Sequence, residues 1–309
     1  MKKKEEFQTS IGGQALIEGI YMRSPSMTCL AVRKPDGEIF LETDQISPSK
    51  ISNIPFVRGA YSVIDSMIKG YRFIMKSADI AIEEELEIKE GEGEAEEPKK
   101  ESKMDDKTFT VIGAISAVLG GLLAVVLFMI VPTFLTGLVG KLMPLNGWQA
   151  AVEGLLKIVI FVLYLFLVTR MKDIRRVFEY HGAEHKSIAC YEARAELTVE
   201  NVREYPRFHP RCGTSYLFLV LIISIAIFSF VPFTNTLLRA GIKLLMIPVI
   251  MSIAYEALRY AGKHSNIIAK VLSYPGLLVQ RLTAFEPDDD QIEVALAALK
   301  QVIPEDGEV

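Results

Sequence analysis

The chain has 309 residues, of which 50% are hydrophobic and 23% are charged, with a net charge of −4 at pH 7. Its 21 glycines and 3 cysteines exclude collagen-like chains and disulfide-stapled small domains, and its apolar content excludes a wholly disordered protein. The class that remains is an α-helical membrane protein, in which three cysteines without a pairing pattern indicate a reducing compartment.

The first part of the chain, residues 1–82, is predicted to be a small cytosolic α+β domain. Apolar and polar residues alternate over residues 12–46, on both sides of the turn sequence Pro-Asp-Gly at residues 35–37. We therefore expect a strand at residues 31–33 to pair with a strand at residues 38–41.

A helix is predicted from residue 55 to residue 82, because apolar residues recur there at helical spacing beside several basic residues. Two environments suit this pattern equally well: a surface of anionic lipid, or the core of a small soluble domain. The next segment, residues 83–107, carries a net charge of −7 and is predicted to be a disordered linker. The apolar positions of the helix are Ile64, Ile68, Tyr71, Met75 and Ile82.

Residues 108–260 are predicted to form a domain of four transmembrane helices. Two spans follow from long uncharged stretches, at residues 110–131 and 213–238. Two others, at residues 151–169 and 240–260, carry a few charged residues near their ends, where long side chains can extend toward the membrane surface.

The distribution of basic residues predicts the orientation of these spans. The connection at residues 172–215 holds eight Lys and Arg residues, whereas the connections at 132–149 and 232–241 hold one each. We therefore expect the long connection and both termini on the cytoplasmic side.

The C-terminal residues 261–309 are predicted to form cytosolic amphipathic helices. Three aspartates at residues 288–290 suit a helix N-terminus, and Pro304 ends the apolar stripe that follows. This stripe needs a partner surface, which is either the N-terminal domain or a second copy of the chain. Its members are Ile292, Leu296, Leu299 and Ile303.

The clearest chemical motif is His-Gly-Ala-Glu-His at residues 181–185. On a helix, His181, Glu184 and His185 share one face, because residues three and four apart are neighbours. The spacing matches the inverted zincin motif, in which two histidines hold zinc and the glutamate acts as a base toward water. We therefore predict His181 and His185 as metal ligands and Glu184 as the catalytic base; the alternative is a hydrogen-bonded histidine turn that binds nothing.

A zinc site needs at least one further protein ligand. His209 and Cys212 are candidates from the same connection, and Glu256 is a candidate at the predicted inner end of the fourth span. Glu192 lies seven residues after His185 and therefore on the same helix face. A closed shell of histidines with Cys212 would be structural, whereas completion by a carboxylate would leave the site catalytic.

Four strings of the sequence stand out together: GGQALIEGIYMR at 12–23, VRG at 57–59, EYHGAEHK at 179–186 and HPRCGTS at 209–215. They resemble one family of bacterial membrane proteins, the YqhQ-like family or domain of unknown function 1385. The resemblance covers most of the chain outside the acidic linker, and it implies a multi-pass protein of the bacterial cytoplasmic membrane. Members of that family are commonly described as predicted metal-dependent enzymes.

These observations favour a membrane protein with a divalent metal, zinc above all, at its cytosolic face, where it would hydrolyse a membrane-associated peptide or lipid. The first alternative is a non-catalytic scaffold or assembly factor with a structural metal or a metal-free histidine cluster, and a third is a transporter. The expected partners are membrane lipid and either a second copy of the chain or another membrane protein. No sequence pattern indicates nucleic-acid or nucleotide binding.

Overall fold

The architecture is given by a computed structural model, which describes residues 7–46, 54–55, 57–91, 106–145, 148–230, 236–264 and 266–304. Within these ranges the chain forms one small sheet and a set of helices, with a π-helical turn between the second and third helices. The strands are β1 Gly12–Leu16, β2 Gly19–Arg23, β3 Met27–Arg33 and β4 Ile39–Gln45. The helices are α1 Val57–Gly91, α2 Asp106–Val125, α3 Val131–Leu142, α4 Gln149–Val168, α5 Lys172–Glu192, α6 Val199–Arg203, α7 Gly213–Ser229, α8 Thr236–Lys263, α9 Ile267–Thr283 and α10 Asp289–Val302.

The four strands form an antiparallel meander in the order β1-β2-β3-β4. The predicted hairpin is confirmed, since Ala31 lies opposite Leu41 and Arg33 lies opposite Ile39. The turn between these strands contains Gly37 with φ of 92°, a left-handed conformation that favours glycine.

The sheet is covered on both faces, and the alternation of side chains along its strands explains how. Met22 and Ala31 belong to the main core, which is completed by α5 and α10. The neighbouring Tyr21 and Leu30 point to the opposite face, where Tyr21 stacks on Phe73 of α1 with ring centroids 4.2 Å apart. The N-terminal strands therefore form a layer between the first helix and two helices from the second half of the chain.

The C-terminal helix docks on this sheet. Ile292, Leu296 and Leu299 of the predicted apolar stripe are buried there. The helix begins with a capping box between Asp288 and Gln291, as the acidic start of the segment suggests. The sequence left two partner surfaces open for this apolar stripe, and the structure shows the first of them, the N-terminal domain.

Among the described residues, three helical segments are long and apolar enough to cross a membrane: Val118–Leu142, Gln149–Val168 and Leu244–Lys263. The chain is thus consistent with a membrane protein, while the predicted four spans are not confirmed. The predicted span at residues 213–238 corresponds to the apolar helix α7 of 17 residues, and residues 231–235 of that prediction lie outside the described residues. The first of these candidate segments lies further along the chain than the predicted span, because it continues through the π-helical turn into α3. The orientation of the spans stays a prediction.

Helix α1 contacts the sheet on one side and α8 on the other. A Cβ on Gly59 would lie 2.7 Å from the Cα of Ser252, so a glycine is needed where α1 and α8 approach most closely. The helix continues to Gly91 and so includes the first residues of the predicted acidic linker, whereas residues 92–105 lie outside the described residues.

Replacing Leu299 by alanine should destabilise the protein, because its side chain is fully buried between α10 and the sheet. Truncation of a buried leucine costs about 2–5 kcal/mol, and we therefore expect a melting temperature several degrees lower for detergent-solubilised protein in circular dichroism. The neighbouring Lys300 is exposed, so Lys300→Ala serves as the control and should change the melting temperature little. Equal melting temperatures for Leu299→Ala and the unsubstituted chain would contradict the docked position of α10.

Candidate metal centre

Helix α5 carries the motif at residues 181–185, as predicted. His181, Glu184 and His185 share one face of the helix and are buried, with exposed fractions of 8%, 6% and 2%. Tyr180 and Ala183 point instead into the core beneath the sheet. The helix therefore presents one apolar face to the core and one polar face to a cavity.

Gly182 lets a distant segment approach this motif. A Cβ at this position would lie 1.9 Å from the carbonyl oxygen of Phe285, so only glycine fits here without a shift of the backbone. The same segment is hydrogen-bonded to the helix, because the N–H of Phe285 donates to the carbonyl of Phe178 at 2.9 Å. This close contact brings the end of α9 beside His181.

Cys212 reaches the site from the start of α7. It is the N-cap residue of that helix, where its sulfur accepts the N–H of Thr214 at 3.4 Å. Its Sγ lies 3.0 Å from Nε2 of His181. One ligand atom from each of His181, His185 and Cys212 lies within 4.8 Å of the others, and all three residues are buried.

Backbone carbonyls hold both imidazoles by their other nitrogen. Nδ1 of His181 lies 2.5 Å from the carbonyl oxygen of Thr283, and Nδ1 of His185 lies 2.6 Å from that of Arg207. A carbonyl can only accept, so Nδ1 is the donor in each pair, and in a neutral ring Nε2 is left with a free lone pair. Metal-binding histidines are commonly oriented by such a bond.

The charges at the site favour an ionised sulfur. Burial alone would raise the pKa of Cys212, but the imidazoles of His181 and His185 lower it well below its usual range. Burial would likewise lower the pKa of His181, but the neighbouring Cys212 sulfur and Glu184 carboxylate raise it to about 9. The N-terminus of α7 also favours the ionised sulfur of Cys212, because the helix dipole stabilises a negative charge there.

Glu184 and the three convergent residues line a common cavity of about 330 Å³. Strand β1 forms the opposite wall, where a Cβ on Gly13 would lie 3.1 Å from Cδ of Glu184. Within the described ranges, no protein donor forms a hydrogen bond to the Glu184 carboxylate. This buried acid is therefore available to a molecule in the cavity.

His209 lines the same cavity but takes part in a different set of contacts. Its Nε2 lies 3.5 Å from the carboxylate of Glu192 and 3.3 Å from Arg211. Glu192 also pairs with Arg211 and accepts the N–H of Thr9 at 2.7 Å. Two residues predicted near the metal, His209 and Glu192, thus lie beside the convergent group without joining it.

Glu256 is not brought into this group. Its carboxylate forms a two-fold ion pair with Arg58 of α1, at 2.7 and 2.6 Å. In the structure, this residue ties α8 to α1 rather than pointing into the cavity.

Gln280 is a site residue that the sequence analysis missed. Its amide accepts the main-chain N–H of His209 at 2.8 Å and donates to the carbonyl of His209 at 2.8 Å. These two bonds hold the loop before Cys212 against α9, and the side chain that makes them is fully buried. In the sequence, the signal for this residue was a single glutamine inside an apolar helix. The carbonyl groups of Arg207 and Thr283, which hold the two imidazoles, belong to the main chain, so no sequence pattern indicates their role.

This arrangement supports two kinds of chemistry. With a metal, two imidazole nitrogens and a thiolate would be ligands and Glu184 a base. Without a metal, the contact between Cys212 and His181 resembles an ion pair of thiolate and imidazolium, as found at reactive cysteines.

The comparisons with known proteins give a family but no activity. The model of a family described as "Protein of unknown function (DUF1385)" matches residues 54–305. The chain belongs to this family. It is also 33% identical to the "Uncharacterized protein YqhQ" of Bacillus subtilis (strain 168), over 97% of this chain and 94% of that protein. No solved structure matches the chain significantly.

In protein stripped of metal by a chelator, Cys212 should react with iodoacetamide at about pH 6, because its lowered pKa keeps the sulfur ionised. Mass spectrometry of the alkylated full chain would locate the label. Cys29 and Cys190 are internal controls, since burial raises the pKa of both thiols, that of Cys29 to about 11. Substitution His181→Ala should move the reaction of Cys212 to higher pH, and equal labelling of all three cysteines at about pH 6 would contradict the ion pair.

Proposed function

We propose that His181, His185 and Cys212 hold a divalent metal ion, most suitably zinc, and that Glu184 uses this centre to hydrolyse a bond in a membrane-associated lipid or peptide. The observation that carries the proposal is the anchoring of both imidazoles. Each Nδ1 donates to a backbone carbonyl, so Nε2 is the nitrogen that each neutral ring can offer to a metal next to the Cys212 sulfur.

The ligand set suits zinc. Zinc binds imidazole nitrogen at about 2.0–2.1 Å and thiolate sulfur at about 2.3 Å, which places two nitrogens and one sulfur roughly 3.3–3.6 Å apart in a tetrahedron. The three candidate atoms lie within 4.8 Å of one another, so small side-chain movements suffice to place them at these separations. Three protein ligands leave the fourth position open, as in catalytic zinc sites.

The metal would supply Lewis acidity and a more acidic water molecule. Glu184 would accept one proton from that water as its oxygen bonds to the carbonyl carbon or phosphorus of the substrate. The same carboxyl would then donate the proton to the leaving group, so that one water molecule is consumed for each bond broken. The cavity beside Glu184 gives the substrate room to approach, with about 330 Å³.

The two other functions fit the described residues less well. A structural metal needs a fourth protein ligand, and the nearest imidazole, that of His209, contacts Glu192 instead. A transporter needs a polar path between the spans. Glu153 and Lys157 of α4 form a buried ion pair at 2.9 Å, but the cavity beside them measures only about 10 Å³, the least that can hold one water molecule.

Metal analysis of the purified full chain tests the ligand set. We expect about one zinc ion per chain, and a loss of most of it in His181→Ala, His185→Ala and Cys212→Ser, because each substitution removes one of three ligands. Inductively coupled plasma mass spectrometry on detergent-solubilised protein measures this content.

Two matched histidine substitutions serve as controls. His264→Ala removes an exposed imidazole that contacts Tyr260, and it should leave the metal content unchanged. His209→Ala should also keep the metal, because this ring lies in the contacts with Glu192 and Arg211. Unsubstituted protein without metal after reconstitution with zinc would overturn the proposal and favour the metal-free cysteine–histidine pair.

Cobalt-substituted protein tests the role of Glu184 without a known substrate. A carboxylate near a bound water opposes its ionisation, so Glu184→Gln should lower the pH midpoint of the visible cobalt spectrum by about one unit or more. The cobalt content and the thiolate-to-cobalt absorption from Cys212 should stay the same. If the midpoint does not move in Glu184→Gln, the carboxylate is not beside the open position and the base assignment fails.

A further inference from the structure

A second cavity lies next to the metal centre, between the sheet and α1, with a volume of about 500 Å³. Three basic side chains line it: Arg23 of β2, Lys69 of α1, and Arg211 from the loop before α7. Within the described part of the chain, no acidic side chain lines it. The cavity is therefore suited to an anion.

The basic groups are only partly neutralised by their neighbours. Arg23 and Lys69 share one carboxylate, that of Asp65, at 3.9 and 2.8 Å. Arg211 pairs with Glu192 on the side facing the metal centre. The side chains of Arg23 and Lys69 are nearly half exposed, at 45% and 44%, so both can turn toward a bound molecule.

The two cavities share one wall. Gly12, Gly13 and Gln14 of β1 line both of them, together with Arg211. A Cβ on Gly12 would meet no atom within 4 Å, and a Cβ on Gly13 would press on the carboxyl of Glu184. Because residues 12 and 13 are glycines, no side chain at these positions separates the two cavities.

The second cavity also opens beside apolar surface. Tyr255 in its wall belongs to α8, within the apolar segment Leu244–Lys263. Next to Lys69 on α1, Met67 and Ile68 are exposed at 69% and 52%. A molecule with an anionic group in the cavity could place an apolar part against these side chains or in the adjacent membrane.

We propose that this second cavity binds the phosphate group of an anionic lipid, and that anionic phospholipids are the substrate class of the adjacent metal centre. The assignment of the substrate rests on the proposed function. Arginine and lysine together suit a phosphate, since the planar guanidinium binds two oxygens at once and the ammonium adds a compact charge. The exposed hydroxyl group of Ser66 in the cavity wall adds a further donor.

Lipid binding by the full chain in detergent tests the site. The probes are short-chain phosphatidic acid, phosphatidylcholine of the same chain length, and inorganic phosphate, each measured by isothermal titration calorimetry. We expect the double substitution Arg23→Gln, Lys69→Gln to weaken binding of phosphatidic acid at least about tenfold, since each basic group near an anionic lipid contributes favourably. The control is Lys172→Gln with Lys300→Gln, which removes the same charge from exposed positions away from the cavity.

Each other outcome contradicts one part of the proposal. Equal binding of phosphatidic acid by the double variant and the unsubstituted chain would place the anion elsewhere. Binding of phosphatidylcholine, whose headgroup has no net charge, as tight as that of phosphatidic acid would overturn recognition of an anionic lipid. Binding of inorganic phosphate as tight as that of the lipid would overturn the lipid as the source of the phosphate.

The substitution Gly12→Leu tests the connection between the cavities. A leucine here would fill the shared boundary without a left-handed backbone to strain. In cobalt-loaded protein, a saturating concentration of phosphatidic acid should alter the visible spectrum of the unsubstituted chain, whereas Gly12→Leu should retain the cobalt but lose this spectral change. An unaltered response in Gly12→Leu would disconnect the lipid site from the metal centre.

Failure of the proposed metal function would be distinguishable from failure of the lipid site. His181→Ala should lose metal and still bind phosphatidic acid, because His181 does not line the second cavity. A chain that binds the lipid through Arg23 and Lys69 but never binds metal would refute the hydrolase and keep the lipid site. A chain that binds metal but not phosphatidic acid would refute the lipid site alone.

Discussion

The site depends on two hydrogen bonds from imidazole Nδ1 to backbone carbonyls. His181 and His185 are neighbours on α5, but their acceptors, Arg207 and Thr283, lie in two later segments of the chain. Those carbonyls are fixed in turn by the close contact at Gly182 and by the clamp of Gln280 on His209. The site can therefore form only when three separate segments have packed together, which makes its geometry a product of tertiary structure rather than of the motif alone.

The sequence predicted the features that arise from local patterns. The hairpin around Gly37, the helical motif at residues 181–185 and the apolar stripe containing Leu299 all follow from spacing within a few residues. It did not predict that Glu256 would pair with Arg58, which is 198 residues away, because a single charge near a helix end does not indicate its partner. Nor could spacing separate Cys212 from His209 as the third member of the group.

Arg211 and its neighbours connect the parts of the molecule around the site. This residue donates to the carbonyl of Thr9 at 3.1 Å and pairs with Glu192 of α5, so it ties the N-terminal segment to the loop before α7. It also lines both cavities. Strand β1 itself lines the cavity of the site, and its glycines determine how much space lies beside Glu184.

The length of α7 sets a condition on any bilayer that would contain this helix. A helix of 17 residues rises about 25 Å, which is shorter than the roughly 30 Å hydrocarbon layer of a bilayer. A bilayer around this apolar helix would therefore have to become thinner to match it. Because Cys212 caps the helix, such thinning at that end would bring lipid headgroups closer to the site.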